Sequence, residues 1–262
     1  MKRRIYNVMR ELTELYYFSP TGGTKKAGML LCEGISWDVE AVDLGKKEEA
    51  PREPEGDLVV AAMPVFGGRI PGVAAEKLRT LNEKGKKAVA VAVYGNRAYE
   101  DALLELKDIL EECGFEVTAA AALVAQHSMV PEVGAGRPDE EDQKEILEFG
   151  RKVREKLEKG SHGAVEIPGN RPYKDEMEIP ATPMSAPSCT KCGRCAMACP
   201  TDAIRIEDGQ VMTEKESCIL CMACKAVCPE HARILPPPMQ EMMDEKLREF
   251  RTVRGANELF LG

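Results

Sequence analysis

The sequence predicts an α/β doubly wound parallel sheet followed by a small cysteine-rich α+β domain. Three observations carry this reading. Apolar runs of strand length alternate with amphipathic helical segments over residues 13–158. The loops that follow several of these runs are rich in glycine and hydroxyls. A run of four cysteines closed by a proline then occurs twice, at Cys189 to Pro200 and at Cys218 to Pro229. Alternating strands and helices build a parallel sheet covered on both faces.

The elements follow in order. Leu15-Tyr16-Tyr17-Phe18 is the first strand, and Lys25 to Glu33 reads as the first helix. Trp37 to Leu44 alternates apolar and polar residues, as a half-buried edge strand does. Leu58 to Met63 is continuously apolar and therefore central. Pro71 to Asn82 reads as a helix with its proline in the permitted first turn. Ala88 to Val93 is the fourth strand, and Tyr99 to Cys113 is a helix stopped by Gly114. Val117 to Val124 is the fifth strand, and Asp139 to Leu157 the last helix of the sheet domain, which is placed at residues 1–165. Residues 166–185 are proline-rich, either a linker or a strap laid over a surface. The cysteine-rich domain is placed at 186–232, and a C-terminal helical tail at 233–262. In that tail 238–254 reads as a charged helix, and Leu259-Phe260-Leu261 is expected to pack against the body.

The cysteine runs have the form C-x2-C-x2-C-x3-C-P, the spacing that holds two cubane 4Fe–4S clusters. Three cysteines of a run curl around one cluster, and the fourth, a helical turn further on, faces the other. Cys189, Cys192, Cys195 and Cys228 are thus expected to hold one cluster, and Cys218, Cys221, Cys224 and Cys199 its partner. Zinc sites show separated C-x2-C pairs instead, and a reducing compartment disfavours a disulfide framework. A stretch this short cannot rest on its own apolar core, so ligation must supply much of its folding energy.

A second redox site is expected beyond the carboxyl ends of the central strands. Ser19-Pro20-Thr21-Gly22-Gly23-Thr24 joins the first strand to the first helix. Its glycines let the backbone wrap closely, and the helix N-terminus offers N–H groups to an anion. It lacks the order of a nucleoside triphosphate loop and of G-x-G-x-x-G, and suits a single phosphate monoester. Pro64, Val65, Phe66, Gly67 and Gly68 follow the third strand; Tyr94, Gly95, Asn96, Arg97 and Tyr99 follow the fourth. Aromatics beside flexible glycines suit a flat heteroaromatic ring. Together the three loops predict a site for flavin mononucleotide (FMN).

On these residues 13–158 resemble a flavodoxin, and 186–232 are similar to a bacterial two-cluster ferredoxin. The whole chain resembles the ferredoxin–flavodoxin fusion proteins found mainly in anaerobic bacteria and archaea. The flavodoxin phosphate loop, Ser/Thr-x-Thr-Gly-x-Thr, is met at Ser19, Thr21, Gly22 and Thr24. Many flavodoxins stack a tryptophan on the flavin from the loop after strand three. The only one here is Trp37, so Phe66, Tyr94 or Tyr99 is expected to serve.

The remaining features narrow the function. A net charge of −8 argues against general nucleic-acid binding. The apolar runs fall far below the roughly 18–20 residues that span a bilayer. The basic opening Met1-Lys2-Arg3-Arg4 leads into no apolar stretch, so a cytoplasmic setting is expected. Cys32 and Cys113 read as buried small residues. His127 either reaches the flavin edge or faces the cluster domain as a proton carrier, or is incidental, and His162 and His231 read as solvated. No Ser-His-Asp or HExxH arrangement occurs, and no catalytic residue is singled out. The expected function is electron transfer between 4Fe–4S clusters and FMN, with a redox partner protein as donor or acceptor; a homodimer is left open. A flavin-dependent reductase of a quinone or small molecule, fed by reduced ferredoxin, is the alternative. A redox sensor ranks last, because no output module is visible.

Overall fold

The computed structural model describes residues 12–47, 50–160 and 163–262; the basic opening and His162 lie outside them. The sheet domain runs β1 (Leu12–Tyr17), α1 (Gly23–Ile35), β2 (Asp38–Asp43), β3 (Leu58–Pro64), α2 (Gly72–Leu78), β4 (Lys87–Tyr94), α3 (Ala102–Glu112), β5 (Glu116–Val124) and α4 (Glu140–Glu158). The cysteine-rich domain follows with β6 (Met184–Ser185), α5 (Arg194–Met197), β7 (Ile204–Glu207), β8 (Gln210–Thr213), α6 (Ala223–Ala226) and β9 (Arg233–Ile234). The chain ends with α7 (Pro237–Lys246), a 3-10 turn and β10 (Glu258–Leu261).

Strand order is β2-β1-β3-β4-β5-β10, with the first five parallel. The order reverses between β1 and β3, the flavodoxin-like doubly wound arrangement, and loops diverging there leave a crevice. β3 is buried on both faces, as its unbroken apolar run requires. Ala119 to Ala122 of β5 are fully buried too; alanine favours strands poorly, and burial overrides that preference. On one face α1 and α4 cross where Gly34 meets Gly150; a Cβ on Gly150 would stand 2.6 Å from the Leu31 carbonyl oxygen. Asp139 caps α4, accepting the N–H groups of Glu141 and Asp142 at 3.1 Å each. α2 and α3 cover the other face, α2 ending at Leu78 rather than running on to Asn82.

β10 corrects the expectation of a helical tail. The helix stops at Lys246, and Glu258–Leu261 pair antiparallel with β5, Leu259 opposite Ala121 and Phe260 opposite Ala120. The sheet is therefore parallel except at this edge. Leu259 and Phe260 pack against the two cores on opposite faces, as alternate strand residues must.

Residues 166–185 form a strap. Arg171 grips Asp108 with Nε and Nη2 (2.8 and 2.5 Å), and Asp101 accepts the N–H groups of Asn170 (2.8 Å) and Lys174 (2.7 Å). The strap thus crosses α3 before entering the cysteine-rich domain. That domain is two matched halves: β6 pairs with β9, β7 with β8, and left-handed backbone recurs at Lys191 and Leu220, Gly193 and Met222, Asp202 and His231. It docks through an apolar cluster in which Leu220 and Met222 meet Val130 and Val133 of the loop after β5 and Met239 and Leu247 of the α7 segment. No helix among the described residues is long and apolar enough to cross a membrane.

Candidate redox site

The loops after β1, β3, β4 and β5 surround a cavity of about 570 Å³, within the roughly 300–1,000 Å³ of small-molecule sites. Thr21, Gly23 and Thr24 line one end. There α1 begins behind Gly22 (φ 90), with no side chain bonded as its N-cap, so the first turn presents backbone N–H groups. Thr24 is buried. Ser19 and Gly22 shape this loop from behind rather than lining the cavity; Ser19 Oγ accepts the Lys25 N–H at 3.0 Å. Both lysines point elsewhere, Lys25 over the Tyr17 ring and Lys26 Nζ onto the Pro138 carbonyl.

The loop after β3 contributes Pro64, Val65, Phe66, Gly67 and Gly68. Phe66 and Arg69 exchange backbone hydrogen bonds around left-handed Gly67 and Gly68 (φ 61 and 93), a turn that favours glycine. Arg69 braces it, donating from Nε and Nη2 to buried Glu105 at 2.8 and 2.6 Å. Phe66 lines the cavity and is half-buried, whereas Tyr94, the other aromatic in its wall, is buried. Trp37 is 95% exposed and plays no part.

The loop after β4 behaves differently from expectation. Tyr94, Gly95 and Arg97 line the cavity, but Asn96 and Tyr99 do not. Asn96 donates to the carbonyls of Phe250 (2.9 Å) and Val253 (2.7 Å) and accepts the Gly255 N–H at 2.8 Å. Tyr99 donates to Glu258 at 2.6 Å, and Tyr94 to the Ala256 carbonyl at 2.7 Å. Both tyrosines belong to the core and stack edge to face. Two residues expected to hold a ligand instead hold the C-terminal segment.

The remaining walls include His127, for which a place at the flavin edge is one expected role, and several residues that the sequence does not single out. His127 and Met129 come from the loop after β5, Met177 from the strap, and Met239, Met242 and Met243 from α7. The one available signal was the methionine cluster in an otherwise charged helix. His127 Nδ1 accepts the N–H groups of Met129 and Val130 at 3.2 Å, which leaves the proton on Nε2. Burial, and then the Arg97 charge, hold its pKa down at about 4, so it is neutral around pH 7.

The cysteines ring two hollows. One is lined by Cys189, Cys192, Cys195 and Cys228, the other by Cys199, Cys218, Cys221 and Cys224. Among the described residues no three His, Cys, Asp or Glu side chains close on a single-ion site. Four thiols facing one hollow are the donor set of a cubane cluster. Burial pushes the Cys221 thiol up to about 12 and raises Cys195, Cys218 and Cys224; the Arg233 charge opposes the rise at those three. Cys192 is exposed, whereas Cys221 and its neighbour Leu220 line both the second hollow and the large cavity. Cys32 and Cys113 are buried away from all of this.

Comparison with known proteins covers the two parts unequally. Residues 188–233 match the 4Fe-4S dicluster domain family. An iron-sulfur protein of Rhodospirillum rubrum is 37% identical over 76 residues, 27% of this chain and 40% of that one. One component of an ion-translocating oxidoreductase complex from Methanosarcina acetivorans is 39% identical over 44 residues, 17% of each chain. The chain thus spans less than half the length of these curated relatives. A flavodoxin structure from Streptococcus pneumoniae is similar over 55% of this chain and 99% of its own, at 20% identity and TM-score 0.42. The strand order and the dicluster match together define the class: a flavodoxin-like sheet joined to a 4Fe–4S dicluster domain. A dicluster domain is an electron-transfer module.

Proposed function

We propose that the chain is an electron-transfer protein whose cavity takes FMN and whose two hollows take 4Fe–4S clusters. Cys189, Cys192, Cys195 and Cys228 would hold the outer cluster; Cys218, Cys221, Cys224 and Cys199 the inner one. Thr21, Gly23, Thr24 and the start of α1 would hold the phosphate, and Phe66 would offer the ring a face. When bound, clusters exchange electrons singly and flavin one or two at a time, which suits a junction between one-electron carriers and a two-electron acceptor.

One observation carries the reading: Leu220 and Cys221 belong to the wall of the cavity and to the wall of the inner hollow at once. The protein's own work is positioning. The strap, the apolar cluster at Leu220 and Met222, and β10 fasten the dicluster domain to the sheet at both of its ends. Exposed Cys192 marks the opposite face, where a redox partner would dock. At the cavity, His127, neutral near pH 7, would act as an Nε2–H donor rather than as a proton carrier.

Rapid reduction of the iron-sulfur chromophore, followed by flavin absorbance across a dilution series, tests this. The expected flavin reduction rate is independent of protein concentration. A rate that falls in proportion to concentration would mean that two tethered carriers serve separate partners.

A further inference from the structure

The two cysteine runs continue into matching turns, Cys199-Pro200-Thr201-Asp202-Ala203-Ile204 and Cys228-Pro229-Glu230-His231-Ala232-Arg233. Asp202 and His231 are left-handed (φ 54 and 48), and Ala203 and Ala232 are both buried, so the two backbones follow one path. The next position breaks the repeat. It is Ile204 in one copy and Arg233 in the other, and the arginine is the more buried, 1% exposed against 7%.

A cation in the place of an aliphatic residue needs an anion, because charge removed from water is costly unless paired. Among the described residues no carboxylate pairs with Arg233. Neutral oxygens hold its head: Nη1 donates to Ser185 Oγ at 2.9 Å, and Nη2 to the Pro183 carbonyl and to Thr213 Oγ1 at 2.6 Å each. Among the described residues Nε is buried without a hydrogen-bond partner, and the Cys224 thiol is the sulfur that meets the guanidinium. The side chain also lies between the two hollows. It lines the outer one, while Pro183 and Thr213, which hold its far end, line the inner one. The neutral acceptors fix the guanidinium and leave its charge uncancelled; the missing negative charge is that of the thiolates around it.

We infer that Arg233 is a potential-setting residue, an internal cation between the hollows that makes the clusters held there easier to reduce. The inference rests on the cluster reading above. Uptake of one electron from an external reductant adds negative charge to an already anionic centre, and a fixed cation nearby stabilises the reduced form more. No proton need accompany that electron, since the guanidinium stays charged throughout. Ile204 can supply nothing comparable.

The test is a potentiometric titration of the full chain, read by EPR, after iron and sulfide analysis has shown both clusters assembled. Arg233→Met fills the space between the hollows without charge and should move at least one midpoint to more negative potential. Arg233→Lys keeps the charge and loses the fork: its midpoints should stay nearer the native ones although it melts at lower temperature. Unmoved midpoints in the methionine variant, or a lysine variant displaced just as far, would overturn the inference. Should the methionine variant fail to assemble, Ser185→Asp keeps Arg233 and sets a carboxylate beside Nη1; its midpoint must also fall, and an unchanged one overturns the idea equally. Native protein that assembles without iron and sulfide would instead sink the cluster reading, which is a different failure.

Discussion

Lys191 and Leu220 occupy the same left-handed position in the two cysteine runs, yet Lys191 is exposed and Leu220 is 2% exposed. The same holds one step on, where half-buried Gly193 corresponds to buried Met222. Backbone and cysteine spacing are common to the halves, and they decide what each hollow can hold. The residues between the cysteines decide what each half faces: Leu220 and Met222 meet the sheet domain, while Lys191 and Cys192 meet solvent. A duplicated redox module is thereby given a direction without any change of fold. The inner half even retains a non-glycine residue, Met222, at φ 62, so packing outweighed backbone preference there.

The largest expected effect treats both halves alike. The apolar cluster inside the dicluster domain has five buried members, Cys195, Cys199, Ala203, Ile204 and Cys224, three of them cysteines. Removing iron with a chelator should therefore unfold residues 186–232 while the sheet, with two cores of its own, persists. Limited proteolysis of chelated against intact protein reads this, with cuts expected in 186–232 first. Equal protection of that segment in both states would show that apolar packing, not ligation, holds it.

A smaller effect should separate the halves. Cys199 stands in the outer run but lines the inner hollow, and Cys228 does the converse. Cys199→Ala is expected to damage the inner cluster and slow flavin reduction. Cys228→Ala is expected to damage the outer one and impair reduction by the external partner. EPR of the two variants tells them apart, and the reverse pattern would undo the crossed assignment.

Much of this was legible in the sequence because it is encoded locally. Apolar runs of strand length gave all five parallel strands, and cysteine spacing gave two hollows with crossed membership. What was not legible depends on distant partners. Glu258–Leu261 looked like the end of a helical tail because its pairing partner, Ala119–Ala122, lies far away in sequence. Asn96 and Tyr99 looked like ligand contacts because their loop follows a central strand, but the returning C-terminal segment claims their side chains. Residues 166–185 became a strap only through Asp101 and Asp108 on α3.

Docking can be probed by giving the inner half the residue of the outer. Met222→Gly relieves a left-handed residue, worth about 1–2 kcal/mol, but empties a packed site, at a cost of about 2–5 kcal/mol. The balance is net destabilisation, visible as a lower urea midpoint at unchanged slope. At the neighbouring matched position Lys191→Leu gives the outer half the residue that Leu220 supplies to the inner; it lies on the exposed face and should stay within about 0.5 kcal/mol of native. Comparable losses in the two variants would mean that the halves are not distinguished by what they face.

The mildest test leaves both cysteine sets intact and touches only the neighbour that makes the inner half inner. Thr24 is buried at the start of α1, and it lines the cavity at the first turn of that helix. Replacing it with valine keeps the shape and removes one hydroxyl from the proposed phosphate site. The expected loss of FMN affinity is about 1–3 kcal/mol, the range for one buried donor left unmatched. Exposed Thr21, whose hydroxyl has water as an alternative partner, should cost less when changed in the same way. Riboflavin lacks the phosphate, so its affinity should hardly change in either variant, and the cluster spectra should be native. Equal losses for FMN and riboflavin would mean that Thr24 supports the fold of the loop rather than the phosphate. The cavity would then need another anchor before its shared wall with the inner hollow could be read as an electron path.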